Sequence, residues 1–142
     1  MPHTRGDRIE EYVGWAETSM RRFDGEALVC CFMTVWNDHD IDGIMEMFTN
    51  DVVYEPSIGT APWGERASGK AAAAKLALAF FEKMPDAHYE KLRHFVSPEI
   101  AVVESRTTGT RAGTPYDVHL VDVLTLRDGK IAAKRSYRKV RA

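Results

Sequence analysis

Cysteine is scarce in this sequence. Only Cys30 and Cys31 occur among 142 residues, the two are adjacent, and no Cys-x-x-Cys spacing exists. The sequence is therefore not that of a disulfide-stapled scaffold or a cysteine-based zinc site. We expect both thiols to be buried, in a reducing compartment. The five histidines show no metal-ligand spacing, so we expect no metal and no other cofactor.

Long hydrophobic runs and a large excess of one charge are also missing. No apolar run approaches the roughly 20 residues of a membrane-spanning helix, and the first residues lack the apolar core of a signal peptide. We therefore expect a cytoplasmic protein that contacts no membrane. The net charge of −2 gives no general attraction to nucleic acid, and the basic residues near the end alternate between the faces of a predicted strand. Nucleic acid is not an expected partner.

The first half of the sequence has helical periodicity. Apolar residues recur at helical spacing over 8–23, and more apolar stretches run from Ala27 to Trp36 and from Ile41 to Phe48. Asp24 and Asp40 precede the second and third stretches, where N-caps are expected. The length suits one domain with a core of its own.

Strand signals dominate the second half. Val52–Glu55 is β-rich, residues 56–69 form a loop with two prolines and three glycines, and Lys70–Met84 is a predicted helix with Ser68 as its N-cap. Period-two patterns then predict strands over His88–Val96, Ile100–Thr110, Tyr116–Leu126 and Lys130–Val140. Asp128-Gly129 is a strong hairpin signal between the last two. The order predicts an α+β fold, with helices on one face of a curved antiparallel sheet.

Three strings stand in order along the chain. They are Trp36-Asn37-Asp38-His39-Asp40-Ile41-Asp42, Phe48-Thr49-Asn50-Asp51-Val52-Val53-Tyr54-Glu55-Pro56, and Asp128-Gly129-Lys130-Ile131 followed by Arg135-Ser136-Tyr137. Together they resemble the SnoaL-like and ketosteroid isomerase-like branch of the nuclear transport factor 2-like superfamily. The resemblance implies a cone-shaped sheet wrapped around helices, with a pocket between them. It divides the chain into an N-terminal helical extension over 1–23 and a SnoaL-like domain over 24–142.

Glu55 is the first candidate catalytic residue. It ends a short apolar strand just before Pro56, and apolar surroundings disfavour the charged form of a carboxyl group, which is one way a general base is tuned. In ketosteroid isomerases, which the chain resembles here, the residue before the matching proline is the carboxylate that moves the proton. The resemblance therefore implies that Glu55 is the base. A solvated glutamate at a strand end is the alternative.

Asp122 is the second candidate. It lies between Val121 and Val123, and alternation places it on an otherwise apolar strand face. Such an aspartate is costly unless it is protonated or paired. The resemblance implies that Asp122 takes the place of the protonated acid that donates to the developing oxyanion in the isomerases. The alternative is a buried aspartate paired with an arginine such as Arg106.

One position departs from the isomerase pattern. Those enzymes also use a tyrosine on the first core helix as an oxyanion donor, and the matching residue here is Phe32. Phenylalanine cannot donate, and losing one such donor costs about 100- to 1,000-fold in rate. Steroid isomerisation itself is therefore disfavoured, and the SnoaL-like resemblance favours polyketide-type cyclisation.

Six further residues are candidates for substrate binding: Phe32, Trp36, Trp63, Glu104, Arg106 and Leu120. Trp63 lies in a loop, as a lid over the pocket or part of a subunit contact. Glu104 and Arg106 share a strand face, as a pocket pair or as an ordinary cross-strand charge pair. Lys134 and Arg138 share a face of the last predicted strand. If that face lines the pocket, they favour an anionic group on the ligand; solvated residues of an edge strand are the alternative.

Two functions follow as hypotheses. The first is a cofactor-free acid–base enzyme, an isomerase or lyase acting on an apolar carbonyl-bearing small molecule, in which Glu55 removes a proton and Asp122 stabilises the enolate. The second is a non-catalytic small-ligand-binding or dimeric scaffold module of the same fold. We expect a homodimer in either case, by resemblance and because an open antiparallel sheet leaves a broad face to cover.

Overall fold

Three helices and six strands make up residues 23–142, the part of the chain that this computed structural model describes. The helices are α1 (Gly25–Asn37), α2 (Ile41–Met47) and α3 (Lys70–Lys83). The strands are β1 (Phe48–Glu55), β2 (Ala67–Ser68), β3 (His88–Val96), β4 (Ile100–Arg111), β5 (Thr114–Arg127) and β6 (Lys130–Arg138). The predicted α+β fold is confirmed. The predicted helix over 8–23, and the extension over 1–23 that contains it, lie outside the described residues apart from residue 23.

The strands form one curved, unclosed sheet in the order β2-β1-β6-β5-β4-β3. Strands β3 to β6 are an antiparallel meander, as the alternation predicts. Strand β1 pairs with β6 in parallel, with Tyr54 opposite Lys134 and Glu55 opposite Arg135. This pairing joins two segments about eighty residues apart, and no local pattern announces it.

Helix α1 packs one face into the core. Asp24 caps it, because the side chain accepts a hydrogen bond from the Ala27 amide at 3.0 Å. The buried residues share one helical stripe: Leu28, Val29, Phe32, Val35 and Trp36. Cys30 and Cys31 fall on the other side of the helix and are exposed. The prediction of buried thiols is therefore wrong, because this helix is apolar on more than the face that it buries.

The loop before α3 also differs from expectation. Gly69, not Ser68, is the N-cap residue of α3, and no side chain caps that end. Ser68 instead pairs with Val53 in the two-residue strand β2. Gly69 has φ of +87°, a conformation that glycine adopts readily, and this lets the chain turn from β2 directly into the helix.

The hairpin between β5 and β6 is confirmed. Asp128 and Gly129 both have positive φ, at 52° and 74°, as a type I′ turn requires. The core lies between the inner face of the sheet and the helices, and its largest fully buried members are Phe48, Ile44, Met84 and Leu124. None of the helices in the described residues is long and apolar enough to cross a membrane.

Candidate functional site

A cavity lies between the inner face of the sheet, α1 and α3. Aromatic and apolar side chains form most of its wall, among them Phe32, Trp36, Tyr54, Phe80, Tyr89 and Leu120. Exposed side chains such as Glu65 and Lys83 stand at its rim. The volume of this cavity is about 110 Å³, somewhat below the roughly 150 Å³ of an apolar cavity that holds benzene. The site therefore suits a small ring, or one end of a larger molecule.

A buried charged cluster lies at the inner end of this cavity. Asp122 of β5 stands opposite Ser136 of β6, with Lys134 two residues earlier on the same face. Lys134 Nζ lies 3.0 Å from Asp122 Oδ1, and each side chain is 6–7% exposed. Ser136 donates to the same oxygen at 2.5 Å and accepts from Lys134 Nζ at 2.8 Å. These three residues are called the Asp122 cluster below.

Aromatic rings surround the Lys134 ammonium. Its Nζ lies 4.4 Å from the Trp36 ring centroid and 4.7 Å from that of Tyr54, and those two rings stack with centroids 6.0 Å apart. Such faces attract a cation. Burial by itself lowers the pKa of Lys134, but the Asp122 carboxylate and Tyr54 outweigh burial, so the pKa is raised and the ammonium stays charged. A charged ammonium has no lone pair, so Lys134 does not activate Ser136 as a nucleophile.

The phenols of Tyr54 and Tyr89 add neutral hydrogen-bonding groups to the wall. Burial raises the pKa of both, with the Lys134 ammonium opposing the effect at Tyr54. Each phenol is therefore protonated near neutral pH and can donate a hydrogen bond. Phe32, at the position where the resemblance implies a tyrosine in the isomerases, lines the same cavity and has no hydroxyl group. Tyr54 on β1 and Tyr89 on β3 bring phenol groups to the cavity instead.

Glu55 lies on the other side of the sheet. Tyr54 faces the cavity, so alternation turns the next side chain toward the outer face, and Glu55 is not among the residues that line the cavity. It is 5% exposed and pairs with Arg66 Nε at 2.6 Å and with Arg135 Nε at 3.2 Å. The structure therefore does not bring Glu55 and Asp122 to one cavity.

The predicted substrate-binding residues divide in the same way. Phe32, Trp36 and Leu120 line the cavity, whereas Trp63, Glu104 and Arg106 do not. Trp63 is half exposed and lies under the Arg66 guanidinium at 4.4 Å. Glu104 pairs with Arg93 at 2.9 Å and Arg106 with Asp117 at 2.6 Å, all at least 31% exposed. These are the cross-strand charge pairs of the alternative interpretation, and Lys134, not Arg106, is the partner of Asp122.

A wider depression of about 420 Å³ lies elsewhere, where β1 begins and the β5–β6 turn approaches α3. Its charged side chains include Lys70, Lys130, Arg127 and Asp51, and the last two pair with each other while more than half exposed. Surface ion pairs of this kind contribute little. None of the buried, unpaired side-chain nitrogen or oxygen atoms in residues 23–142 belongs to a residue of this depression. Among residues 23–142, no three His, Cys, Asp or Glu side chains converge as metal ligands would.

Comparison with known proteins agrees with this architecture. Residues 31–134 match the family described as the SnoaL-like domain, which is more than half of the chain. No curated protein sequence is significantly similar.

Solved structures share the fold at low sequence identity. A hypothetical protein with a ketosteroid isomerase-like fold from Catenulispora acidiphila, in complex with trimethylamine, superposes with a TM-score of 0.70 at 16% identity, covering 80% of this chain and 86% of its own. A candidate SnoaL-like polyketide cyclase from Jannaschia sp. gives 0.69 at 18% identity, covering 81% and 87%. An NTF2-like protein from Anabaena variabilis gives 0.68 at 18%, covering 82% and 87%. These structures share the fold, and the match over residues 31–134 places the chain in the SnoaL-like domain family.

Proposed function

We propose that this protein is an acid–base enzyme that removes a proton next to a carbonyl group in a small, largely apolar molecule. The observation that carries the proposal is the buried Asp122–Lys134 pair in an aromatic-walled cavity. In it, the Asp122 carboxyl group and the Lys134 ammonium lie side by side. That is the equipment needed to accept a proton from carbon and to stabilise the negative charge that results.

Asp122 takes the role of base in this proposal. The contact from Lys134 and the hydrogen bond from Ser136 both fall on Oδ1, and we assign Oδ2 to accept the proton. The hydrogen bond from Ser136 and the ammonium of Lys134 on Oδ1 fix the orientation of the carboxylate. The role assigned to Glu55 from sequence passes to Asp122, because only Asp122 lines the cavity.

Lys134 takes the role of the oxyanion-stabilising group. When the C–H bond breaks, its electron pair moves toward the carbonyl oxygen and forms an enolate, while the proton goes to Asp122. A fixed ammonium in a site that excludes water stabilises that charge far better than one in bulk solvent. The enolate then attacks a second carbonyl of the same molecule, as in a cyclase, or takes the proton back at another carbon, as in an isomerase. No cofactor enters either step.

Polyketide-type cyclisation is the favoured form of this chemistry. The candidate polyketide cyclase from Jannaschia sp. supports it by its shared fold, and the apolar wall suits a molecule with few charges. In this proposal only the reacting ring enters the cavity of about 110 Å³, and the remainder of a larger substrate lies along the rim.

Deuterium exchange tests the proposal without knowledge of the natural substrate. Cyclohexanone and phenylacetone, both near the size of the cavity, are incubated in deuterium oxide with the protein, and proton NMR follows loss of the signals beside the carbonyl. The parent protein should accelerate exchange in at least one of them. Asp122→Asn should lower that acceleration about 100- to 10,000-fold, the usual contribution of a general base. Asp117→Asn is the matched control, because Asp117 is an exposed carboxylate on the same strand.

A binding module without catalysis is the second candidate. The observation in its favour is the closeness of the Asp122–Lys134 contact, since buried ion pairs also occur as purely structural features. It predicts ligand binding in the cavity and no acceleration of exchange by the parent protein.

We also propose a homodimer formed through the outer face of the sheet. Cross-strand register aligns Phe95, Val102 and Val123 there, with Tyr137 nearby, and Phe95 and Tyr137 are 68% and 56% exposed. An apolar band on one sheet face is typical of a surface that a second copy covers. Light scattering should give twice the monomer mass, and Phe95→Glu should reduce it to the monomer mass. A monomeric parent protein would overturn this part.

The cytoplasmic location is proposed on the two exposed, free thiols, which persist best in a reducing compartment.

A further inference from the structure

Unsatisfied buried polar atoms concentrate at one place in the described residues. Buried side-chain nitrogen and oxygen atoms without a hydrogen-bond partner are Trp36 Nε1, Thr107 Oγ1 and Arg138 Nε. All three belong to residues that line the cavity of the Asp122 cluster. Native proteins rarely leave buried polar groups unpaired, and each such group calls for an explanation. Their shared location indicates that a bound molecule supplies the missing partners.

Arg138 is the most informative of the three. It stands opposite Leu120 on the inner face of β6, four residues beyond Lys134. Its Nη1 donates to the Tyr116 hydroxyl at 3.3 Å, and no carboxylate among the described residues pairs with it. Lys134, on the same strand face, has Asp122 at 3.0 Å. Among residues 23–142, one of the two cations on this face therefore has a carboxylate partner and the other has none.

The charge of the whole lining points the same way. Four lining side chains are cationic and two are anionic: Lys83, Arg111, Lys134 and Arg138 against Glu65 and Asp122. An amine is a poor fit despite the aromatic wall, because the Lys134 ammonium already lies against the Trp36 and Tyr54 rings. A guanidinium with a free Nε–H is instead the usual partner of a carboxylate, which it binds with two parallel hydrogen bonds.

We propose that Arg138 binds a carboxylate of the substrate, so that the ligand is a small ring-containing oxo acid whose carbonyl meets the Asp122 cluster and whose acidic group meets Arg138. The inference rests on the proposed function for the carbonyl end only. The Cα atoms of Lys134 and Arg138 are about 13 Å apart along an extended strand, and both side chains reach into the same cavity, so a molecule one ring long can contact both.

Three probes of nearly the same shape test the charge preference. Benzoate, benzamide and benzamidinium carry charges of −1, 0 and +1, and their binding to the full-length protein is measured by calorimetry and by the change in tryptophan fluorescence. Benzoate should bind about 10- to 100-fold more tightly than benzamide, the usual gain for hydrogen bonds to a charged group, and benzamidinium should bind most weakly. Equal binding of benzoate and benzamide, or no benzoate binding at millimolar concentration, would overturn the inference without the need for any variant.

Variants then assign the preference to Arg138. Arg138→Gln should abolish the difference between benzoate and benzamide, and Arg138→Lys should keep part of it, because an ammonium retains the charge but not the paired donors. Lys139→Gln removes the same charge from the exposed neighbouring residue and should leave the difference unchanged. A preference for benzoate that persists in Arg138→Gln contradicts the assignment.

The Asp122→Asn protein separates this inference from the proposed function. It should keep or strengthen the preference for benzoate, because one negative charge leaves the cavity lining, while it loses deuterium exchange. If the parent protein prefers benzoate and shows no Asp122-dependent exchange, the proposed function fails and the carboxylate site stands. If exchange depends on Asp122 and no probe is preferred, the carboxylate site fails and the proposed function stands.

Discussion

The two faces of the sheet each bury one carboxylate beside cations, and the two arrangements differ in what surrounds them. Asp122, on the inner face, pairs with Lys134 behind an aromatic wall, where both side chains are at most 7% exposed. Glu55, on the outer face, pairs with Arg66 and Arg135, whose side chains are 44% and 39% exposed. The two carboxylates are thus equally buried. The inner ion pair lines a cavity that a ligand can enter, and Glu55 does not line that cavity.

The difference shows why burial of an acidic residue is a poor guide to catalysis by itself. Glu55 is held by two arginines that remain partly hydrated, so its contacts fasten β1 to β6 and to the loop before α3. The Asp122 cluster makes its polar contacts within two neighbouring strands, and all three of its residues line the cavity. A reactive group needs a pathway to substrate as well as a perturbed environment.

The largest effect should come from breaking the inner pair. Lys134→Met leaves the Asp122 carboxylate buried without its cation, which typically costs about 3–5 kcal/mol of the free energy of unfolding. Urea denaturation measures the loss. The double variant Asp122→Asn with Lys134→Met should recover much of it, because no lone charge remains buried. Equal stability of Lys134→Met and the parent protein would show that this pair is not buried as described.

Breaking the outer pair should cost less. Glu55→Gln removes the charge that Arg66 and Arg135 share, but both guanidinium groups are partly exposed and can be hydrated. We expect a loss of about 1–3 kcal/mol in the free energy of unfolding and no change in the rate of deuterium exchange per folded molecule. An exchange rate that falls as far as in Asp122→Asn would return the catalytic role to Glu55.

Alkaline pH offers a subtler way to separate the faces. Burial opposes the charged form of Lys134, but the neighbouring Asp122 carboxylate and Tyr54 together favour it more strongly. The folded-state pKa of Lys134 is therefore raised above its usual 10.5. The stability that the pair contributes is therefore fully present below pH 10.5 and is lost as the pH rises through the folded-state pKa. Urea denaturation of the parent protein above pH 10 should show this decline. In the double variant that lacks both charges the decline should be smaller, and an identical decline would contradict the account.

The smallest effect should come from the exposed outer-face pair between Glu104 and Arg93. These side chains are 31% and 69% exposed, and surface pairs of this kind contribute about 0–1 kcal/mol. Glu104→Gln should shift the free energy of unfolding within that range and leave exchange and benzoate binding unchanged. Loss of exchange in this variant would place catalytic chemistry on the outer face.

Local patterns were sufficient to predict most of the fold. Alternation along Tyr116–Leu126 places Asp122 on the inner face, the Asp128-Gly129 turn closes the last hairpin, and Asp24 and Asp40 cap their helices. Each of these follows from residues within a few positions of one another. The regular register of that hairpin would place Arg135, not Lys134, on the face of Asp122. A register shift of one residue, between the Leu126–Ile131 and Thr125–Ala133 pairs, brings Lys134 and Arg138 there instead, and the hairpin signal does not predict it.

The rest of the site depends on contacts that a local pattern does not carry. Val52 and Val53 are both apolar, so the sequence does not tell which face of β1 is buried in the core, and Glu55 could be placed on either side. Its partner Arg135 comes from a parallel pairing across eighty residues, and the aromatic surroundings of Lys134 come from two separate elements. Such neighbours become visible only when the chain is folded.

The most direct test of the account compares Asp122→Asn and Glu55→Gln in one deuterium-exchange experiment, with folded protein matched by circular dichroism. The account predicts that exchange beside the carbonyl falls by at least about 100-fold in Asp122→Asn and stays at the parent rate in Glu55→Gln. Parent-like exchange in Asp122→Asn would contradict the claim that the inner carboxylate is the base.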